Sequence, residues 1–382
     1  MKLANINFSP EYFRSELNFY HNLVRNRSWQ GEIMLATEQP VLKRFWYPTL
    51  SYKELETGPK PFQLLGEKIV LWLDEEGKPV ALEDRCPHRS VPLSYDAAVV
   101  DGNIRCAYHG WRFNSQGTCT KIPQMPSVTP SKQCRVKSYH SAERYGYVWV
   151  CLEEPLADIP FIPKAYEPNY RQIHEYAQVW QCNAFRVTEN ALDISHISFV
   201  HRNSFGDENE PVAPELEVIE LENGVQMKGQ VPVANYELQQ QNLHIPEDKT
   251  VRTVDIKWLM PCTFLLNFTY PNGLDHLIVG FATPMTNQTC HRIQFCLRND
   301  TEADAPAEDV AAFDRLVGTE DRWMLETTDI DLPLDIRKEQ HMLLDKPGLI
   351  MRRQISELLK LHGEVEHSDE LVSKQSYEFA YS

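Results

Sequence analysis

Cys86-Pro87-His88 and Cys106-Ala107-Tyr108-His109-Gly110-Trp111 decide what the first part of this chain is built for. Each run carries one cysteine and one histidine, as a Cys-x-His pair and a Cys-x-x-His pair, separated by a stretch of hairpin size. Two thiolates and two imidazoles are the ligand set of a [2Fe-2S] cluster in which histidines replace cysteines on one iron. Thiolates donate strongly and hold one iron oxidised, while neutral imidazoles add no charge to the other and raise the reduction potential. The outward edge of an imidazole also offers the electron, and often a proton, a way to a neighbour. A closed zinc site uses the same four residue types, usually as a CxxC pair plus an HxxxH-type pair. Here each run mixes the two kinds, so each loop gives one ligand to each iron. That order favours the cluster over zinc.

In CPHRS … CAYHGW the sequence resembles the Rieske family. The resemblance assigns Cys86 and Cys106 to one iron and His88 and His109 to the other.

The chain has 382 residues, more than one ordinary core needs, so two domains are expected. Hydrophobic residues at 42% and charged residues at 24% describe a soluble globular protein. No apolar stretch reaches the length of a membrane span, and the first residues lack a signal peptide's basic-then-apolar pattern. A net charge of -16 makes a nucleic-acid backbone an unsuitable partner. Beyond Cys86 and Cys106, the cysteines Cys119, Cys134, Cys151, Cys182, Cys262, Cys290 and Cys296 show no paired spacing, as expected of reduced thiols in the cytoplasm.

Residues 1–40 carry an amphipathic stretch, Phe13, Leu17, Tyr20 and Leu23, expected to form a helical extension packed on the body or a neighbouring subunit. Residues 41–155 are all strands and turns, with Ile69 to Leu73, the Asp101-Gly102 hairpin signal and Tyr145 to Val150 the clearest. A proline-rich linker (Pro155, Pro160, Pro163, Pro168) leads into residues 156–382. There the pattern predicts a helix around 187–201, strands near 216–233, 250–259, 263–270, 276–284 and 290–298, and helices near 307–328 and 347–362. A curved antiparallel sheet flanked by helices follows, hence α+β. The last helix carries Met351, Ile355, Leu358 and Leu359 on one face, expected to pack on the core.

The second constellation is Glu189-Asn190-Ala191-Leu192-Asp193-Ile194-Ser195-His196-Ile197-Ser198-Phe199-Val200-His201. Five residues turn an α-helix by about 500°, so the helix must end, kink or widen for His196 and His201 to converge. Beside a cluster that delivers electrons singly, two histidines and a carboxylate with open positions make the O₂-activating non-haem Fe(II) site. Asp321 is the expected carboxylate: helical spacing sets it with Val317, Met324 and Leu325, where an unpaired acid is expensive. Glu320 is expected on the solvated flank, and Asp329 and Asp331 are the alternatives. Asp193, three residues before His196, is either an ordinary helix carboxylate or a bridge from His196 to a cluster histidine.

The resemblance to the Rieske oxygenases covers nearly the whole chain: CPHR…YHGW, ERYGYVWVCL, ENALDISHISFVH and TEDRWMLE. It points to the α-only branch that also looks like the N- and O-demethylases, the saxitoxin-pathway hydroxylases and the chlorophyllide and pheophorbide oxygenases. It implies a START-like helix-grip second domain and electrons from NAD(P)H through a ferredoxin or flavin reductase. It further implies a head-to-tail homotrimer in which Asp193 bridges the two metal sites across the subunit boundary. Glu326-Thr327-Thr328 departs from the ExQ pattern common in relatives. The implied reaction puts one oxygen atom from O₂ into a C–H bond of a small organic substrate. Aromatic-ring dihydroxylation is the close competitor. A carrier holding the cluster alone has no use for His196, His201 and Asp321. Trp258, Phe264, Phe268, Tyr270 and Phe281 alternate as strand residues do and suit sheet core or pocket equally.

Overall fold

The computed structural model describes residues 39–329 and 332–364. The predicted helix around Phe13 to Leu23, and Asp331, lie outside them. Ten strands come first: β1 (Tyr47–Ser51), β2 (Lys60–Leu64), β3 (Glu67–Leu73), β4 (Pro79–Glu83), β5 (Ala98–Val100), β6 (Asn103–Arg105), β7 (Arg112–Phe113), β8 (Cys119–Lys121), β9 (Ser138–Arg144) and β10 (Tyr147–Cys151). They make an antiparallel sheet in the order β1-β10-β9-β4-β3-β2 and a smaller one, β5-β6-β7-β8, inserted between β4 and β9.

The period-two pattern of β3 divides two cores. Ile69 and Leu71 join the main core, whereas Val70 and Trp72 turn the other way, toward Cys86, Cys106 and Phe113. Asp101 and Gly102 both adopt positive φ, at 53° and 68°, which closes the β5–β6 hairpin. The indole N–H of Trp72 donates to the Gly102 carbonyl at 3.2 Å and fixes that hairpin over the sheet.

The second domain adds β11 (Arg171–Trp180), α1 (Ala184–Asn190), α2 (Ile197–Val200), β12 (Glu217–Leu221), β13 (Gly224–Ala234), α3 (Glu237–Leu243), β14 (Lys249–Leu259), β15 (Thr263–Thr269), β16 (Asp275–Pro284), β17 (Cys290–Arg298), α4 (Ala307–Leu325) and α5 (Lys346–Leu361). Its antiparallel sheet runs β11-β17-β16-β15-β14-β13-β12, and the fold is α+β. One sheet face, through Val279, Phe281, Ile293 and Phe295, packs on Tyr145, Tyr147 and Trp149. The proline-rich connection is not a loose tether, because Ile159 and Ile162 are buried in that same cluster.

A single helical turn, Tyr52–Leu55, interrupts the stretch read as strands and turns, and in the second domain one strand and one helix escaped the sequence pattern. In β11 a register shift between His174 and Tyr176 buries Glu175 and Tyr176 in succession, which breaks the alternation. The polar run of α3 gave no apolar stripe. The expected helix around 187–201 is instead two short helices with a turn between them, so Asp193 sits in a turn and not on a helix face. Met351, Ile355 and Leu359 of α5 are buried in the main core.

Gly280 of β16 lies opposite Phe264 of β15, where an added Cβ would meet the Phe264 ring at 2.1 Å. Gly280→Ala is therefore expected to destabilise the protein by about 1–3 kcal/mol through overpacking, read as a Tm several degrees lower.

Candidate metal centres and the cavity beside them

The two cysteine–histidine loops are backbone copies of each other. In one, Cys86 N–H donates to the Val91 carbonyl at 2.8 Å and Ser90 N–H to the Cys86 carbonyl at 2.9 Å. In the other, Cys106 N–H donates to Trp111 at 2.9 Å and Gly110 N–H to Cys106 at 3.0 Å. Ser90 and Gly110 take the matching positive φ, at 60° and 72°. Both thiols are buried, and the rings of His88 and His109 lie 4.4 Å apart at the domain tip. Trp111 stacks on His88 at 4.5 Å and 3°. Burial, with the neighbouring Cys106, pushes the Cys86 thiol up to about 11. The buried Nδ1 of His88 has no hydrogen-bond partner. Two buried thiols, and an orphaned imidazole nitrogen beside them, fit a [2Fe-2S] cluster.

His196, His201 and Asp321 meet in the second domain. Asn183 caps α1 by accepting from Phe185 N–H at 2.8 Å, and the chain then turns before α2, which brings both histidines to one point. The His201 carbonyl accepts from the N–H groups of Ser204, Phe205 and Gly206 at 2.9, 3.0 and 2.8 Å. A Cβ on Gly206 would strike the Ile197 carbonyl oxygen at 2.2 Å, so the close wrap depends on glycine. Asp321 comes from α4, which lies against β11 because Gly318, one turn earlier, leaves room for Tyr176: a Cβ there would meet its hydroxyl at 2.5 Å.

The three candidate ligand atoms form a nearly equilateral triangle. His196 Nε2 is 3.2 Å from His201 Nε2, and Asp321 Oδ1 lies 3.4 and 3.3 Å from them. Corners that far apart all fall on one face of an ion about 2.1 Å from each. Burial alone would push the Asp321 carboxyl up, but the two imidazoles hold it well below the usual carboxylate range. Burial likewise pulls His196 down, and Asp193 and Asp321 outweigh it to set the ring at about 9. The trio draws in positive charge, and a metal cation with three ligands and open positions fits it.

Each candidate ligand histidine has a carboxylate at its other nitrogen. Glu320 accepts from His201 Nδ1–H at 3.0 Å and from the Ser204 hydroxyl at 2.7 Å. This corrects the expected solvated flank for Glu320, which is only 6% exposed. A Glu-Asp pair with Asp in the apolar stripe was the available signal, since adjacent residues on a helix diverge by about 100° and both can face inward at a crowded site. Met324 is 53% exposed and leaves the stripe, and Asp329 is exposed away from the trio. Asp193 Oδ2 lies 3.5 Å from His196 Nδ1, while its Oδ1 accepts from the Ser195 N–H at 2.6 Å and hydroxyl at 2.5 Å. Glu326 accepts from Gln181 N–H and from Arg322, at 2.9 and 2.8 Å, so it serves the fold. Buried Arg352 of α5 grips Glu189 at 2.6 Å and holds the end of α1 in place.

Glu320→Ala is expected to weaken iron binding about 10- to 100-fold while the cluster's visible spectrum stays intact. Chelator competition followed by iron assay measures it.

The trio forms part of the wall of a cavity of ≈ 120 Å³, lined mainly by apolar side chains including Val187, Ile256, Leu266 and Ile278. Phe264, Phe268 and Tyr270 line it too, whereas Trp258 and Phe281 are core.

A cluster-type fold, a trio fit to hold a metal on one face and a mainly apolar cavity together fit an iron-dependent oxygenase. The Rieske [2Fe-2S] domain family matches residues 45–140, and the vanillate O-demethylase oxygenase C-terminal domain family matches residues 180–361. The chain belongs to the Rieske non-haem iron oxygenases, oxidoreductases that use the cluster, non-haem iron, O₂ and electrons from a separate reductase. It is 27% identical to methylxanthine N1-demethylase NdmA of Pseudomonas putida over 345 residues, 87% of this chain and 93% of that one. It is 32% identical over 170 residues to the 5,5'-dehydrodivanillate O-demethylase oxygenase subunit of a Sphingobium species, 43% of this chain and 39% of that one. The solved structure of Pseudomonas putida NdmA with caffeine shares the fold, with a TM-score of 0.74 at 24% identity, covering 87% of this chain and 95% of that one. Among the described residues, no helix is long and apolar enough to cross a membrane.

Proposed function

We propose that this chain is the oxygenase component of a demethylating Rieske monooxygenase acting on a small organic N- or O-methyl compound. The observation that carries the proposal is the His196–His201–Asp321 trio set in the wall of a mainly apolar cavity. Iron held by the trio supplies O₂ activation. One oxygen atom enters a methyl C–H bond, and the hemiacetal or hemiaminal collapses to formaldehyde and the free hydroxyl or amine. The second atom leaves as water, with two electrons and two protons from outside.

The chain's own residues orient and connect. Glu320 fixes the tautomer and pose of His201, and apolar cavity walls keep bulk water from the methyl group. Asp193 connects His196 to a cluster histidine of the neighbouring subunit in a head-to-tail homotrimer. Support comes from exposure: the Asp193 side chain is 33% exposed, and Tyr108, beside His109 at the cluster tip, is 62% exposed. The scattered cysteines suit a reducing compartment, the cytoplasm.

The test uses the chain loaded with cluster and iron, a surrogate ferredoxin reductase, NAD(P)H and a panel of methoxy- and N-methyl aromatics. Substrate-dependent O₂ and NAD(P)H consumption with matching formaldehyde is expected. A cis-diol without formaldehyde overturns demethylation in favour of ring dihydroxylation. A sedimentation mass other than three chains overturns the trimer.

A further inference from the structure

Three buried arginines line the cavity: Arg252, Arg292 and Arg298. Arg298 is neutralised by Asp300 at 2.5 Å and donates to the Asn242 carbonyl at 2.8 Å. Arg292 donates to the Ile293 carbonyl at 2.7 Å and to the Gln294 side chain, and lies over the rings of Tyr176, Trp180 and Phe264. Arg252 has less. Its hydrogen bond to the Tyr270 hydroxyl is 3.5 Å long, and its buried Nε has no acceptor. Among the described residues, no carboxylate lies within 4.0 Å of its guanidinium. The cavity's own acids are engaged elsewhere: Asp193 and Asp321 with the ligand histidines, Asp314 with His276 at 3.3 Å.

A buried guanidinium without an anion is costly to keep, and stacking on aromatic rings offsets only part of that cost. The Arg252 guanidinium carbon lies 3.9 Å from the Phe268 ring centroid and 5.0 Å from that of Phe205. Phe205 in turn stacks on the His201 ring at 4.7 Å and 20°. The rings take up part of the guanidinium's surface and leave its N–H groups to find acceptors. Arg252 lines the cavity, one aromatic ring removed from a candidate metal ligand.

We propose that Arg252 anchors an anionic group of the substrate, and that the group is a carboxylate carried by the same molecule as the methyl group to be removed. The proposal rests on the demethylase function above and adds the substrate class. A planar carboxylate matches the guanidinium fork with two parallel N–H···O bonds.

The test is calorimetric binding of 2-, 3- and 4-methoxybenzoate to the holoenzyme without reductase, each beside its methoxybenzamide and methoxybenzenesulfonate. At least one acid should bind about tenfold or more tighter than its amide. Arg252→Met should weaken that acid about 10- to 100-fold and leave the amide nearly unchanged. Arg252→Lys should recover part of the loss. Equal binding of acid and amide to the wild type, or unchanged acid binding by Arg252→Met, overturns the anchor. Tighter binding of the sulfonates than of the carboxylates overturns the carboxylic-acid class. If Arg252→Met fails to fold, the wild-type acid–amide comparison and Arg252→Lys still decide. Acid-selective binding without formaldehyde in turnover keeps the anchor and removes demethylation. Formaldehyde from neutral methyl compounds alone does the reverse.

Discussion

Asp321→Ala is expected to purify as red-brown as the wild type, with about two irons per chain in place of about three. Its turnover should fall at least about a thousandfold, beyond the 10- to 100-fold that loss of an outer hydrogen-bond partner costs. Removing the carboxylate leaves His196 and His201 as the only protein ligands of the trio, too few to hold iron on one face. The cluster should be untouched, because its four candidate ligands lie in the other domain and share no side-chain contact with Asp321. His109→Ala is the mirror experiment: it should bleach the visible bands and spare the mononuclear iron. Iron assay and absorption spectra on the two variants separate the sites. Retention of the third iron by Asp321→Ala ends its place as a ligand.

Asp193→Asn should do something different: fill both metal sites, accept an electron from the reductase, and still turn over about a hundredfold or more slowly. The side chain spans the 3.5 Å to His196 Nδ1 and is one-third open to solvent, so it can meet a second imidazole from outside its own chain. The amide fills the same space and loses the charge. Rapid mixing of the reduced variant with O₂ and a methoxy aromatic should show the cluster staying reduced. Reoxidation at the wild-type rate removes Asp193 from the route.

Residues that must act through spacing were legible in the sequence. The cysteine–histidine loops declare their candidate ligands within a few positions, and four of the five predicted strand segments fall within a residue or two of β14 to β17, while the one near 216–233 spans both β12 and β13. Glu320 was not legible. A single helix pattern assigns one inward face, whereas α4 meets His201 and Ser204 on one side and the metal trio on the next, so two adjacent acids turn inward. The bulge in β11 hid a strand and a buried acid together, since one extra residue reverses the parity on which strand recognition depends. Arg252 was illegible for another reason. An arginine in an alternating strand reads as solvent-facing, and only the rings of Phe205 and Phe268, distant in sequence, turn its position into a buried one.

Ile159 and Ile162, buried in one cluster with Trp149 of the first half and Phe295 of the second, tie the connecting segment to both halves of a protomer. A chain joined in this way cannot carry its charge from one half to the other by swinging. In the proposed trimer, the distance an electron must cross is set when the subunits assemble. Diluting the protein until subunits separate should therefore silence catalysis while leaving every metal in place.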